Sequence, residues 1–146
     1  MMSGVLYEFA GPEWRAFMHA IIVTRLNQLE DGGRSVDWSF CEVFRDAPES
    51  LRTDGTAAAW HCIVKDGEVT FGDSELADPT FKVSADYKAI YPLAKYDTMG
   101  DPARGAELAK LSGELMAAGK LSVEGDATKL DARLGSFHDA IAAVTA

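Results

Sequence analysis

Apolar residues recur along this chain with two different periods, and the switches between them divide it into elements. From Glu13 to about Glu30, Trp14, Phe17, Met18, Ile21, Ile22, Leu26 and Leu29 fall at helical spacing and form a broad stripe. Gly11-Pro12 opens this helix and Asp31-Gly32-Gly33 closes it. The period then becomes two: Val36, Trp38, Phe40 and Phe44 alternate with Asp37, Ser39, Cys41 and Arg45, as in a strand. Asp46 to Gly55, rich in Pro, Gly and acidic residues, reads as a loop.

Ala57 to Lys65 and Glu68 to Gly72 read as strands joined by Asp66-Gly67, a hairpin signal because a type I′ turn needs positive φ at both central residues. Asp73 to Pro79 is an acidic loop, and Thr80 to Ser84 alternates cleanly as another strand. A helix follows from about Ala85 to Leu93, with Tyr87, Ile90, Tyr91 and Leu93 on it and Pro92 near its end. Asp97 to Gly100 forms a tip. Asp101-Pro102 is an N-cap followed by proline at the first helical position, and the helix it starts is expected to bury Leu108, Leu111, Leu115 and Met116.

Gly119 to Asp126 is the most informative stretch. Gly119 suits a left-handed helix C-cap, Lys120 to Glu124 alternate as a one-sided strand, Gly125 permits a tight exit and Asp126 is a favoured N-cap. A short strand between two helices needs a sheet built earlier in the chain to pair with. Leu130, Leu134, Phe137, Ile141 and Val144 then repeat at helical spacing, with Gly135 as a point of kinking. The pattern predicts an α+β fold: a five-stranded, largely antiparallel sheet covered on one face by about four helices, two layers in all. Thr80, Lys82, Ser84, Lys120, Ser122 and Glu124 mark its wet face, and Phe81, Val83, Leu121 and Val123 its dry one.

The run Ala77-Asp78-Pro79-Thr80-Phe81-Lys82-Val83-Ser84, the helix after it, and Gly119-Lys120-Leu121 leading to Gly125-Asp126 resemble the sterol carrier protein, or non-specific lipid-transfer, family. The Asp66-Gly67 hairpin followed by Val69 and Phe71 sits where that family places one, and the resemblance spans roughly residues 36 to 144. It implies a single domain over residues 1–146, with a helical extension of about residues 1–34. It further implies an apolar tunnel or cavity for fatty acids, acyl-CoA thioesters or sterol-like lipids, with no catalytic residues and no cofactor. Two departures from the family, the long segment Met1 to Arg34 and the loop-rich Tyr96 to Ala106, bear on the shape of any cavity.

Composition narrows the partners. The 146 residues suit one domain, and a net charge of −9 argues against nucleic acid and against electrostatic docking on anionic lipid. The longest apolar run near the start, Ala16 to Val23, is interrupted by His19 and too short to span a bilayer, so neither membrane insertion nor a secretory signal is expected. Cys41 and Cys62 fall on opposite faces by alternation, which disfavours a disulfide and suits a reducing cytoplasm.

The expected apolar lining comprises Trp38, Phe40, Trp60, Phe71, Phe81, Tyr87, Tyr91, Leu108, Leu111, Leu115, Met116, Leu121, Val123, Phe137 and Ile141. The same set would equally serve as an ordinary filled core. Glu42 is anomalous, since alternation puts it with Phe40 and Phe44. A bulge or twist carrying it to the rim is the expectation; the alternative is a polar anchor, or a partner for Arg15 or Arg45. His19, His61 and His138 share no metal-ligand spacing, and Asp73, Glu75 and Asp78 lack the pattern of a calcium loop. No Ser lies in a nucleophile elbow, and Gly32-Gly33 is a helix stop rather than a phosphate cradle. Lys82, Lys120 and Arg104 read as solvated charges that a phosphate-bearing head group would meet. Two other functions stay open: a small cone-shaped α+β isomerase or hydratase, which would need His61 and an acid such as Glu42 on one inner face, and a non-binding partner or dimerisation module with a filled core and an exposed apolar patch.

Overall fold

Asp66 and Gly67 adopt φ values of 54° and 81°, the pair of positive angles that a type I′ hairpin requires. The turn joins β2 (Ala58–Lys65) to β3 (Glu68–Gly72), which pair antiparallel. β1 (Trp38–Arg45) lies on the other side of β2, also antiparallel, and pairs in parallel with β4 (Phe81–Asp86), which pairs antiparallel with β5 (Leu121–Gly125). The resulting order is β3-β2-β1-β4-β5. The computed structural model describes residues 5–126 and 137–146.

Helices α1 (Pro12–Asn27), α2 (Tyr87–Ala94), α3 (Pro102–Ala117) and α4 (His138–Ala142) complete the two layers expected from the hydrophobic pattern. α1 stops at Asn27, short of Glu30, and Asp31 caps the turn beyond it by accepting from the Gly33 and Ser35 amides at 2.9 and 3.0 Å. α2 starts at Tyr87 rather than Ala85 because Ala85 still pairs with Phe44 and Leu121; Asp86 ends the strand and caps the helix through the Lys88 and Ala89 amides. Asp101 caps α3 through the Ala103 amide, with Pro102 in the first turn. The α3 C-terminus closes as a Schellman motif: the Gly119 and Lys120 amides donate to the Met116 and Leu115 carbonyls at 3.1 and 2.9 Å, with Gly119 at φ 73°. The Asp126 cap and the helical pattern through Leu130, Leu134 and Gly135 concern a segment that lies outside the described residues, apart from Asp126 itself.

The main core sits between the inner face of the sheet and α1. Trp14, Met18, Ile22 and Leu26 of α1 are buried there with Phe9, Trp38, Phe44, Trp60, Cys62 and Val64. The outer face is drier than alternation implies. Residues 46–57 and 73–80 fold over it, enclosing a small cluster of Cys41, Val43, Ala57, Ala59 and Leu76. Lys82, expected to be solvated, is only 5% exposed and pairs with Glu75 of the covering loop at 2.5 Å. The Leu76 amide donates to Cys41 Sγ at 3.4 Å, and Thr53 Oγ1 donates to the Ala59 carbonyl at 2.8 Å. Cys41 and Cys62 do lie on opposite faces, both as free thiols.

Gly119 and Gly125 separate two costs of the left-handed backbone. A Cβ on Gly119 meets nothing within 4 Å, whereas one on Gly125, at φ 90°, would collide with the Thr80 carbonyl. Gly119→Ala is therefore expected to lower unfolding free energy by about 1 kcal/mol, and Gly125→Ala by about 3 kcal/mol because β4 must shift as well. Urea denaturation of both variants checks this; equal costs would contradict the steric argument.

Candidate functional site: an apolar cavity with one buried carboxyl

α3 has an apolar stripe, yet none of its residues is fully buried. Leu108, Leu111 and Leu115 are only half-buried and Met116 is 45% exposed, against the expectation that this helix packs them into the core. Instead, Leu108, Ser112 and Met116, one stripe at four-residue spacing, face a cavity of about 490 Å³. Its floor is the inner face of the sheet, including Trp38, Phe40, Glu42, Trp60, Phe81 and Val83. α1 supplies Trp14, Met18 and Ile22, α2 supplies Ile90, Leu93 and Ala94, and Phe137, His138 and Ile141 close another side. The wall is overwhelmingly apolar, and the Ser112 hydroxyl is spent on its own helix, donating to the Leu108 carbonyl at 2.9 Å.

Ten of the residues expected to line a cavity border this one: Trp38, Phe40, Trp60, Phe81, Leu108, Met116, Leu121, Val123, Phe137 and Ile141. The other five lie elsewhere. Phe71 stacks on His19, ring centroids 3.7 Å apart, at the β3 edge. The Tyr87 and Tyr91 hydroxyls donate to the carbonyls of Phe9 and Ala146 at 3.1 and 2.6 Å, which ties one ring to the segment before α1 and the other to the residues after α4. Leu111 and Leu115 sit on the stripe of α3 beside the one that faces the cavity. The wall also includes Phe9, Phe44 and the α1 residues, whose periodicity was legible but carried no sign that it bordered a void.

Glu42 corrects a second expectation. The β1–β2 register runs unbroken through Glu42↔Trp60, so no bulge carries the side chain to the rim. It faces the cavity, accepting a 2.9 Å hydrogen bond from Trp60 Nε1 on Oε1. Glu42 is half-buried and borders the cavity. Desolvation pushes its carboxyl up to about 7, with the Trp60 bond opposing part of that shift. Arg15, a suggested partner, pairs with Asp73 instead.

The remaining polar candidates are tied down structurally. Arg104, expected to be solvated, donates through Nε and Nη2 to the Asp97 carbonyl at 3.0 and 2.7 Å and lies over the Tyr96 ring. His138 Nε2 stands 2.7 Å from the Tyr96 carbonyl oxygen, a contact that places the proton on Nε2. His61 is on the outer face, opposite Cys41, with Nδ1 2.7 Å from the Ser74 carbonyl oxygen. It therefore cannot share an inner face with Glu42, the arrangement the isomerase reading needs. Among the described residues no group of three or more His, Cys, Asp and Glu side chains is placed to hold a metal, and no helix is long and apolar enough to cross a membrane.

The structure is similar to solved sterol carrier protein structures. A conserved hypothetical protein from Thermus thermophilus, described as possibly a sterol carrier protein, aligns at TM-score 0.48 and 14% identity over 97% of this chain and 92% of its own. A crystal structure of sterol carrier protein 2 aligns at TM-score 0.45 and 14% identity over 94% and 96%. A UbiJ-SCP2 ubiquinone synthesis protein aligns at TM-score 0.43 and 16% identity over 90% and 94%. No protein-family model and no curated protein matches the chain.

The Glu42 carboxyl gives the fold a pH dependence of defined sign. Its folded value is raised from 4.5 to about 7, so between those values the folded state holds a proton that the unfolded state has lost. Stability therefore falls as pH rises through that window and levels off above it, a difference on the order of 3 kcal/mol. Burial lowers the His19 value, which acts in the opposite sense. The difference between wild type and Glu42→Gln in urea unfolding from pH 4 to pH 8 isolates the Glu42 contribution. The variant should gain on wild type as pH rises; parallel curves would contradict the buried carboxyl.

Proposed function

We propose that this protein binds a lipid in the cavity beneath α3, and that a fatty-acyl or sterol-like body fills it. The observation that supports this best is that Leu108, Ser112 and Met116 of α3 border an apolar cavity over the sheet. Side chains normally fill interiors at crystal-like density, so an apolar void of about 490 Å³ is unusual unless something occupies it. The volume lies within the roughly 300–1,000 Å³ of small-molecule sites. Each methylene moved from water into such a wall contributes about 0.8 kcal/mol, enough for a long chain to bind without any charged contact.

Entry is at the seam between α3 and β5. Met116 and Val123 both border the cavity and are 45% and 46% exposed, so the apolar wall continues to the surface there. Lipid transfer, as opposed to storage, would use displacement of α3. Among the described residues the wall holds one carboxyl and one imidazole as its titratable groups, and His138 already bonds a backbone carbonyl, which favours binding over acid–base chemistry.

All three tryptophans of the chain, Trp14, Trp38 and Trp60, line the cavity, so occupancy is directly readable. A fatty acid carrying a fluorophore that accepts tryptophan emission should quench them saturably at one equivalent. Ser112→Phe projects a ring into the cavity and, by excluding about two methylenes, should weaken binding roughly tenfold. An unsaturable signal, or one indifferent to Ser112→Phe, would overturn the proposal.

A further inference from the structure

Among the described residues Glu42 is the one carboxyl in a mostly apolar wall, and its hydrogen-bonding capacity is only partly used. Trp60 Nε1 donates to Oε1, and among the described residues no other hydrogen bond reaches the carboxyl. No cation among them pairs with it: Arg15 is engaged by Asp73 and Lys82 by Glu75 on the outer face. Ionised, the group is an acceptor only, with about four lone-pair sites, so most of its capacity faces the void. The residues around it are aromatic. Trp60 is its cross-strand partner on β2, Phe40 and Phe44 flank it on the same face of β1, and Phe40 packs edge-on to Trp60 with centroids 5.6 Å apart. A carboxylate set among aromatic rings and lacking a protein counterion is complementary to an ammonium group, which couples to the carboxylate by charge and to ring faces by cation–π attraction.

We infer that the cavity selects amphiphiles carrying a buried amine or ammonium group on an aliphatic body, with Glu42 as the counterion and Trp60 as the residue that orients it. This deepens the lipid-binding reading and rests on it. The same geometry disfavours insertion of a fatty acid head-first, which would set two carboxylates together in an apolar site. A fatty acid entering tail-first, with its head at the Met116–Val123 seam, is unaffected.

The pairing has a pH signature of its own. An alkylamine stays cationic to about pH 10, so below that its attraction follows the ionised fraction of Glu42. Other titratable groups near the carboxyl are His138 on the cavity wall, His19 of α1 with its ring 5.8 Å from Trp60, and Cys62 and Cys41 of the sheet. Burial pushes the Cys62 thiol up to about 12 and raises that of Cys41, so the histidines are the groups to be separated from Glu42.

The experiment displaces the fluorescent fatty acid from intact protein with three probes of one chain length: dodecylamine, 1-dodecanol and dodecanoate. For wild type at pH 8 the amine should bind about tenfold tighter than the alcohol, and that advantage should fall about tenfold by pH 6 as Glu42 protonates. In Glu42→Gln the advantage and its pH dependence should both vanish while dodecanol binds as before, which also establishes that the variant is folded. Equal binding of amine and alcohol by wild type would overturn the inference and leave lipid binding standing. A preference that persists in Glu42→Gln would overturn it by transferring the pH dependence to His19 or His138. If none of the three probes displaces the fluorophore, the inference and the lipid-binding reading fall together. The wild-type pH series stands even if Glu42→Gln does not fold.

Discussion

Phe9 is the side chain through which the layers of this protein are joined. It is 1% exposed, and its ring meets those of Trp14, Phe44, Tyr87 and Tyr91 at centroid distances between 4.7 and 5.7 Å. These rings belong to α1, β1 and α2, so one residue of an irregular segment ties two helices to the central strand. The Tyr87 hydroxyl fastens the Phe9 carbonyl from the other side. The next residue, Ala10, is held at φ 63°, a conformation a non-glycine residue adopts only when its surroundings demand it. A further clasp closes nearby: Tyr7 bridges to Thr145, and Trp14 Nε1 donates to Thr145 Oγ1 at 3.0 Å.

This concentration of large rings at one part of the inner face fixes where the cavity falls. α1 and α2 are drawn to the aromatic cluster, and among the described helices α3 is the one that packs against β5. That helix presents Leu108, Ser112 and Met116 to the cavity, while Leu115 packs against the core. The void is thus a consequence of unequal filling, dense under the N-terminal segment and sparse under α3. Glu42 stands on the strand that connects the two regions, with Phe44 of the cluster on one side and Phe40 of the cavity floor on the other.

Much of this was written in local patterns. Asp66-Gly67, Asp101-Pro102 and Gly119 each specified a turn or a cap whose geometry the structure reproduces, because those preferences are set by φ and by a few orphan backbone groups. Strand faces were legible for the same reason, since alternation needs no knowledge of the partner. What escaped were features that depend on surfaces brought together from afar. Lys82 looks solvated until residues 73–80 fold over it. Tyr87 and Tyr91 look like pocket lining until Phe9 and Ala146, from the two ends of the chain, claim their hydroxyls. Glu42 was expected to escape through a bulge because burying a lone carboxyl costs stability. The strand kept its register, and the cost appears instead as a raised proton affinity. An apolar stripe also reads identically whether it meets a packed core or a void, so α3 gave no local hint that it borders a cavity.

The central claim is that the space beneath α3 is a lipid site and not a defect of packing. Native mass spectrometry of the protein after incubation with mixed lipid vesicles and re-purification tests it most directly. The account predicts a second mass envelope heavier than the bare chain by one lipid, lost on denaturation and diminished in Ser112→Phe. A spectrum showing the bare chain alone would contradict it.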